Sequence, residues 1–415
     1  MSVPRDPASS KAPRIHRHSW GLASLLASLS MIGPFSIDLY LPAFSAIASE
    51  FSASPIAMQQ TLSAYLFAYA FMMLWHGALS DAMGRRPIII AGLAIYCFAT
   101  LGCAIAGNIE TLWLFRAAQG ISAGTGMVVG RAIIRDRFNG AEAQRLMSKV
   151  TLVFSIAPAI APIIGGALLN TLGWRSIFWV LLLWVLIVLA WSTRYLAETL
   201  HPSHRHALRP RVLWRNYTSV LAKPEFTMLA LIPTMNFAAF FIYIAAAPAF
   251  LVELLGVSTW GFAWLFVPMI AGIIAGATLS GRMAGRISPQ RTIRLGYSFI
   301  AVGALANVLI CQFAPPYVVW NVAPILIYAT GSSLVAPSVM LCLLDLFPTV
   351  RGLASSLQGF VQFSVAGIVA GTVAPILAQS LTALAWGMSG FAAASFTSWL
   401  IYQRHARTTL KDWQP

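Results

Sequence analysis

Two charged residues of this 415-residue chain stand where charge is hardest to keep. Asp38 lies near the end of Gly21–Leu41, a stretch otherwise almost wholly apolar, and Arg116 lies inside a second apolar run. A carboxylate at membrane depth is rare unless a proton, ion or substrate uses it. Burial favours the protonated acid, so such a group can load a proton from one side and release it to the other. The structural alternative is an Asp at an aqueous rim, because Leu41-Pro42 ends the helix. Arg116 does not deprotonate and needs a partner, water or carbonyls around it. It either tunes Asp38 or a proton-linked water chain, or is a buried structural arginine.

The elements that hold these residues follow from composition. The chain is 58% hydrophobic and 9% charged, against about 25% charged in soluble domains. Its surface cannot be solvated by water, so it is an integral membrane protein. Continuous apolar runs long enough to span the bilayer recur at 20–41, 57–78, 87–107, 111–133, 146–170, 174–196, 225–250, 258–280, 291–313, 317–341, 352–379 and 381–403. None alternates with period two, so an all-α protein of twelve transmembrane helices is expected, not a barrel.

The net charge of +15 is an orientation signal. Of 27 Lys and Arg residues, 25 fall in the two tails and in alternate loops, leaving Arg175 on the other side and Arg116 within a helix. This asymmetry places both termini in the cytoplasm. No basic patch is interleaved with stacking aromatics, so nucleic acid is not an expected partner. Cys97, Cys103 and Cys311 lie within apolar runs, Cys342 directly follows one, and the four lack metal-type spacing; they read as small buried residues. The N-terminus lacks an A-x-A-like cleavage site, and the first apolar run reads as a retained helix.

The longest polar interruption divides the helices six and six. Residues 1–19 form a cytoplasmic tail, 20–196 a first bundle, 197–224 a linker, 225–403 a second bundle and 404–415 a tail. The linker's His201, His204 and His206 lack an accompanying acid or Cys at suitable spacing, so a solvated segment is expected there. The halves echo each other: Leu79-Ser-Asp81-Ala-Met-Gly84-Arg85 returns loosely as Leu279-Ser-Gly-Arg282-Met-Ala-Gly285-Arg286. A parallel repeat of this kind builds secondary transporters with a site between halves near the midplane. Met31, Tyr40, Tyr65, Tyr69 and Met72 of the first half, with Met235, Asn236, Phe240 and Tyr243 of the second, are candidates to line that cavity. Such a mix suits bulky, partly apolar ligands.

In the segment Gly77-Ala-Leu-Ser-Asp81-Ala-Met-Gly84-Arg85-Arg86-Pro87, glycines allow a sharp turn. Asp81 can accept hydrogen bonds at a neighbouring helix N-terminus, and Pro87 suits the first turn of the next helix. This segment resembles the cytoplasmic loop signature of the major facilitator superfamily. Ile37-Asp38-Leu-Tyr40-Leu-Pro-Ala43 resembles the opening signature of its Bcr/CflA drug-resistance transporters. Leu114-Phe-Arg116-Ala-Ala-Gln119-Gly120 is similar to the fourth-helix motif. Ala157-Pro158-Ala-Ile-Ala161-Pro162-Ile-Ile-Gly165-Gly166 is similar to the antiporter motif, and Gly173-Trp-Arg175…Phe178 also fits.

The resemblance implies two six-helix bundles related by a pseudo-two-fold axis. It also implies proton coupling at Asp38, and an Arg85–Asp136 pair that joins Asp81 in a cytoplasmic latch. Ala78, Ala82 and Met73 depart from the family's usual Pro, Arg and Gln, so a thinner charge network is implied at that loop. In helix 5 the small residues permit close helix approach and the prolines bend it.

An enzyme is not expected: Ser-x-x-Lys, H-E-x-x-H and a phosphate loop are all missing from the sequence. The resulting expectation is a monomeric exporter in the bacterial inner membrane, multi-pass and without a cofactor, that exchanges small hydrophobic drugs for protons by alternating access. The alternatives are transport of a natural metabolite, such as a nucleoside or amino-acid derivative, and a non-transporting scaffold. Glu225 and Asp345 are candidates for a second coupling acid.

Overall fold

Hydrocarbon offers no partner to a bare amide, so apolar runs close their hydrogen bonds within helices. The computed structural model describes residues 16–138, 140–205, 207–348 and 350–411. Residues 1–15 and 412–415 of the expected tails lie outside the described set, as does His206. Among the described residues there is no strand, and helix covers all twelve apolar runs.

The first half comprises α1 (His16–Asp38), the short α2 (Phe44–Glu50), α3 (Pro55–Met83), α4 (Arg85–Ala104), α5 (Ile109–Ala123), α6 (Thr125–Arg137), α7 (Gly140–Leu172) and α8 (Arg175–Tyr195). After α9 (Pro210–Leu221) come α10 (Pro224–Ala245), α11 (Ala263–Met283), α12 (Pro289–Phe313), α13 (Val318–Asp345), α14 (Arg351–Ile368), α15 (Ala374–Leu377) and α16 (Leu381–Lys411). Nine helical spans among the described residues are long and apolar enough to cross a membrane. The other three apolar runs form the α5–α6 pair, α7 and α16.

Local chemistry sets the ends. Ser54 and Asn108 accept from the amides of Ala57 and Thr111, capping α3 and α5. Ser288 does the same for α12, and Pro55 and Pro289 occupy first helical positions, where a missing N–H is harmless.

Three runs expected as continuous helices are interrupted. The fourth breaks at Gly124, which separates α5 from α6. The seventh passes at Pro248 into a π-turn, Ala249–Leu254. The eleventh widens into π geometry over Val369–Val373, one turn before Pro375, whose ring cannot join a regular ladder with residue 371. The linker expected to be merely solvated contains α9, which turns Tyr217 and Val220 inward; the Tyr217 hydroxyl donates to the Leu74 carbonyl at 2.8 Å.

Packing is dense within each set of helices. In the first, α1 lies on α7, α3 on α5 and α4 on α8; in the second, α12 and α11 flank α13, and α10 lies on α16. Across the divide α3 meets α14 and α7 meets α11. At the end of α3 remote from Gly84, Gln59 Nε2 donates to Ala245 O (2.8 Å), Gln60 Nε2 to Gly371 O (2.9 Å) and Ser63 Oγ to Gly367 O (2.7 Å). These bonds join the two sets of helices at one end.

Candidate functional site: a central cavity with one carboxylate

Asp38 is the last residue of α1, where the chain leaves helical geometry ahead of Pro42. It is 4% exposed and lines a cavity of about 200 Å³ between the two sets of helices. Among the described residues its carboxylate has no ion-pair or hydrogen-bond partner. Gly33, Pro34 and Ile37 continue the α1 wall, and Phe154 and Pro158 of α7 bend over it. The second half contributes Phe237, Phe240, Phe241 and Ile244 of α10, Met269, Ile270 and Ile273 of α11, and Phe363 of α14.

Aromatic rings cross the divide in sequence. Tyr69 lies 4.7 Å from Phe363, Phe363 lies 6.1 Å from Phe237, and Phe237 stacks at 5.2 Å on Phe241. The Tyr69 hydroxyl points at Met127 Sδ, 3.7 Å away. The result is an apolar, π-rich chamber with a single acid at its wall.

Only Tyr69 and Phe240 of the nine sequence candidates line this chamber. Tyr40 and Tyr65 are fully buried around Arg116 instead. Tyr243 accepts from Asn307 Nδ2 at 2.6 Å inside the second half. Asn236 accepts from the Tyr328 hydroxyl at 3.3 Å and leaves its own Nδ2 buried without a partner. Met31, Met72 and Met235 are partly buried elsewhere. The cause is helix rotation: residue type marks a side chain as fit for a pocket, but neighbouring helices decide which face is turned there. The spacing of Phe237, Phe240 and Phe241, at i, i+3 and i+4 on one face, was the available signal.

Arg116 is fully buried, its guanidinium 4.7 Å from the Tyr40 ring and 4.4 Å from the Tyr65 ring. Nη1 donates to Ser36 O (3.0 Å) and Gln119 Oε1 (2.8 Å), while Nε and Nη2 have no hydrogen-bond partner. Gln119 passes the network to Thr100, and Tyr96 pairs with the Ser36 hydroxyl at 2.5 Å. Ser36 and Asp38 are two residues apart on α1, and residues so spaced face different ways. The sequence reading has Arg116 approach Asp38; here they make no contact, and α1 itself stands between the arginine cluster and the chamber.

At the other end of α3 the helix runs through Gly77 and turns only at Gly84, whose φ is +105°. The expected loop is therefore one residue, and Gly77 is an ordinary helical position. Arg85 pairs with Asp81 one turn back and, through Nε, with Asp136 Oδ2 at 3.0 Å; its Nη1 also meets Ser80 Oγ at 2.7 Å. Among the described residues no helix N-terminal amide donates to Asp81, which is bound by the Arg85 side chain instead. Glu198, which follows α8, accepts from the amides of Arg85 (3.0 Å) and Arg86 (3.2 Å). Arg86 reaches back to Thr193 O at 2.8 Å, and Thr199 donates to Asp136 at 3.0 Å.

Partial burial works to raise the pKa of Glu198, but amide donors from Leu200, Arg85, Arg86 and Thr199 outweigh it and hold the carboxyl below its usual range. Nothing near Glu198 in sequence announces this role, because the α4 amides that it receives lie more than a hundred residues away.

In α7, Ala157, Ala161, Pro162, Gly165 and Gly166 are buried. A Cβ on Gly165 would stand 2.2 Å from Leu39 O, so α7 rests on the α1 backbone just beyond Asp38. Pro158 reaches the chamber. Glu225 pairs with His405 at 3.1 Å and Asp345 with Arg351 at 3.3 Å, and neither lines the chamber.

Comparison with known proteins bears on this arrangement. The Major Facilitator Superfamily pattern matches residues 26–371. The chain is 28% identical to the bicyclomycin resistance protein homolog of Haemophilus influenzae over 84% of its length and 87% of the relative's. It is 31% identical to the uncharacterized MFS-type transporter YdgK of Bacillus subtilis, with the same coverage of each. The crystal structure of a D-xylose–proton symporter superposes with a TM-score of 0.72 at 14% identity, covering 92% of this chain and 97% of that one; it shows the shared fold. The chain is thus a transporter, not an enzyme, and it belongs to the Major Facilitator Superfamily, within its Bcr/CflA drug-resistance branch.

Proposed function

We propose that this protein exports small, moderately hydrophobic compounds in exchange for protons, with Asp38 as the group that both cargoes contest. The observation that carries this reading is an unpaired carboxyl on the wall of an apolar chamber shared by both sets of helices. A ligand lying on Tyr69, Phe237 and Phe363 displaces water from the carboxyl and changes its affinity for a proton. Proton binding in turn removes the one charge that the chamber offers. Each cargo thereby biases release of the other, and alternating exposure of the chamber turns that bias into exchange.

The wall composition favours aromatic and amphipathic compounds over polar metabolites, and it agrees with the resistance activity named for the Haemophilus relative. In this reading residues 20–196 and 225–403 are the rocking bundles, 197–224 is the linker, both termini are cytoplasmic, and the protein is a multi-pass monomer of a bacterial inner membrane. The Arg85 network is the cytoplasmic latch. It ties the ends of α3, α4 and α6 to the segment after α8, so these elements move as one block. The α7 small-residue face lets that block slide on α1.

The test is substrate-driven proton release from purified protein, across a panel of antibiotics, dyes and metabolites. Release with hydrophobic drugs supports the reading. Release only with polar metabolites transfers the same mechanism to another cargo, and no response across the panel refutes proton exchange.

A further inference from the structure

A second cavity lies on the outside of the second half. It has a volume of about 560 Å³, runs between α12 and α16, and shares no residue with the Asp38 chamber. Its floor exists because both helices present small side chains, Ala301 and Ala304 from α12 and Ala392 and Ala393 from α16. Its walls are rigid. Tyr297 donates to Ser395 O at 3.0 Å and packs edge-on against Phe396 at 5.1 Å, and Trp399 is buried beside them.

One end is charged: Arg294, exposed and with no acidic partner among the described residues, stands at the mouth. From Arg294 to Ala304 the trough is ten residues of helix, about 15 Å, roughly the depth of one leaflet.

We propose that this trough holds one phospholipid with an anionic headgroup, its phosphate on Arg294 and an acyl chain along the alanine floor. Charge complementarity selects the occupant. Arg294 belongs to the basic α11–α12 side, where juxtamembrane cations meet anionic lipid. An aromatic at the mouth, here Trp399, suits the headgroup level. A zwitterionic lipid fills the trough equally well and also brings a phosphate, but its ammonium group offsets the charge that Arg294 meets.

The experiment uses the full chain, purified in detergent and stripped of lipid. Thermal unfolding and native mass spectra are recorded with phosphatidylglycerol, with phosphatidylcholine of the same chains, and with glycerol phosphate. The expected result is retention of phosphatidylglycerol with about fivefold tighter apparent affinity than phosphatidylcholine, since one cation near the surface is worth about 1 kcal/mol. Arg294→Ala erases that preference, and Ala301→Phe, at an exposed position on the floor, weakens both lipids. Arg291→Ala, on a neighbouring turn outside the trough, leaves the preference intact. Equal retention of both lipids, an undiminished preference in Arg294→Ala, or binding of glycerol phosphate as tight as that of the lipid overturns the proposal.

Discussion

Each half turns at a glycine of positive φ, but with different equipment and length: one residue parts α3 from α4, and five part α11 from α12. At the α3–α4 junction Gly84 adopts φ +105°, and at the α11–α12 junction Gly285 adopts φ +75°. Both are conformations that side chains with a Cβ resist. Around Gly84 stand Arg85, Asp81, Asp136, Glu198 and Thr199, bonded into one network. Around Gly285 a Cβ would meet nothing within 4 Å, and Arg282 and Arg286 form no ion pair among the described residues. The contrast extends inward. The first half buries Asp38 and Arg116, whereas the second buries neutral groups, Asn236, Asn307 and Tyr243. The repeat thus keeps a glycine of positive φ at the junction in both halves, while the buried charges among the described residues lie in the first half.

The largest effect expected comes from removing the chamber's charge. Asp38→Asn abolishes substrate-driven proton release while leaving folded protein in the membrane; undiminished release would move the coupling elsewhere. Next is a paired test of the two buried networks. Arg116→Lys keeps the charge but loses the planar fit between two tyrosine rings, lowering stability by about 2 kcal/mol and shifting the pH profile of transport. Asn307→Leu in the second half costs about 1 kcal/mol and leaves that profile unchanged. If both variants leave the profile alone, Arg116 is structural only.

Third, Gly84→Ala loses about 2 kcal/mol, because its new Cβ would stand 2.4 Å from Glu198 Oε2 as well as adopting a strained φ. Gly285→Ala loses about 1 kcal/mol. Equal losses in chemical denaturation would show that the network around Gly84 yields freely.

The smallest effect is one of acidity. Because Glu198 is held below its ordinary range, its contribution is complete at neutral pH and fades as pH falls through the folded value, below the usual Glu value of about 4.3. Glu198→Gln removes this acid limb from the unfolding profile, whereas no change at the Gly285 junction does so.

Much of this was legible in the residues. Apolar length gave the helices, and the Gly84–Arg85 spacing marked the junction in both halves. Asp38 stood out because nothing nearby could neutralise it. What stayed hidden depended on orientation and distance. Tyr40 and Tyr65 carry the right chemistry for a pocket, yet they wrap Arg116, because the turn after α1 and the helix α3 present those side chains to α5. Phe237 and Phe363 read as plain hydrophobic positions until α10 and α14 turned them together. Glu198 could not be recognised as the cap of α4, since only the return of the chain after α8 brings it there. The breaks at Gly124 and before Pro375 were visible as residue types, but their geometry depended on which neighbours each helix had to clear.

The seam made by Gln59, Gln60 and Ser63 has a consequence for inheritance. All three donors come from the first half, and all three acceptors are main-chain carbonyls, which every amino acid supplies. The receiving side therefore drifts with little penalty, apart from Gly371, where a methyl group would crowd Ser63, and Gly367, where it would press on the Phe67 ring. Hybrids that join this first half to the second half of a distant cousin should still shut at that end.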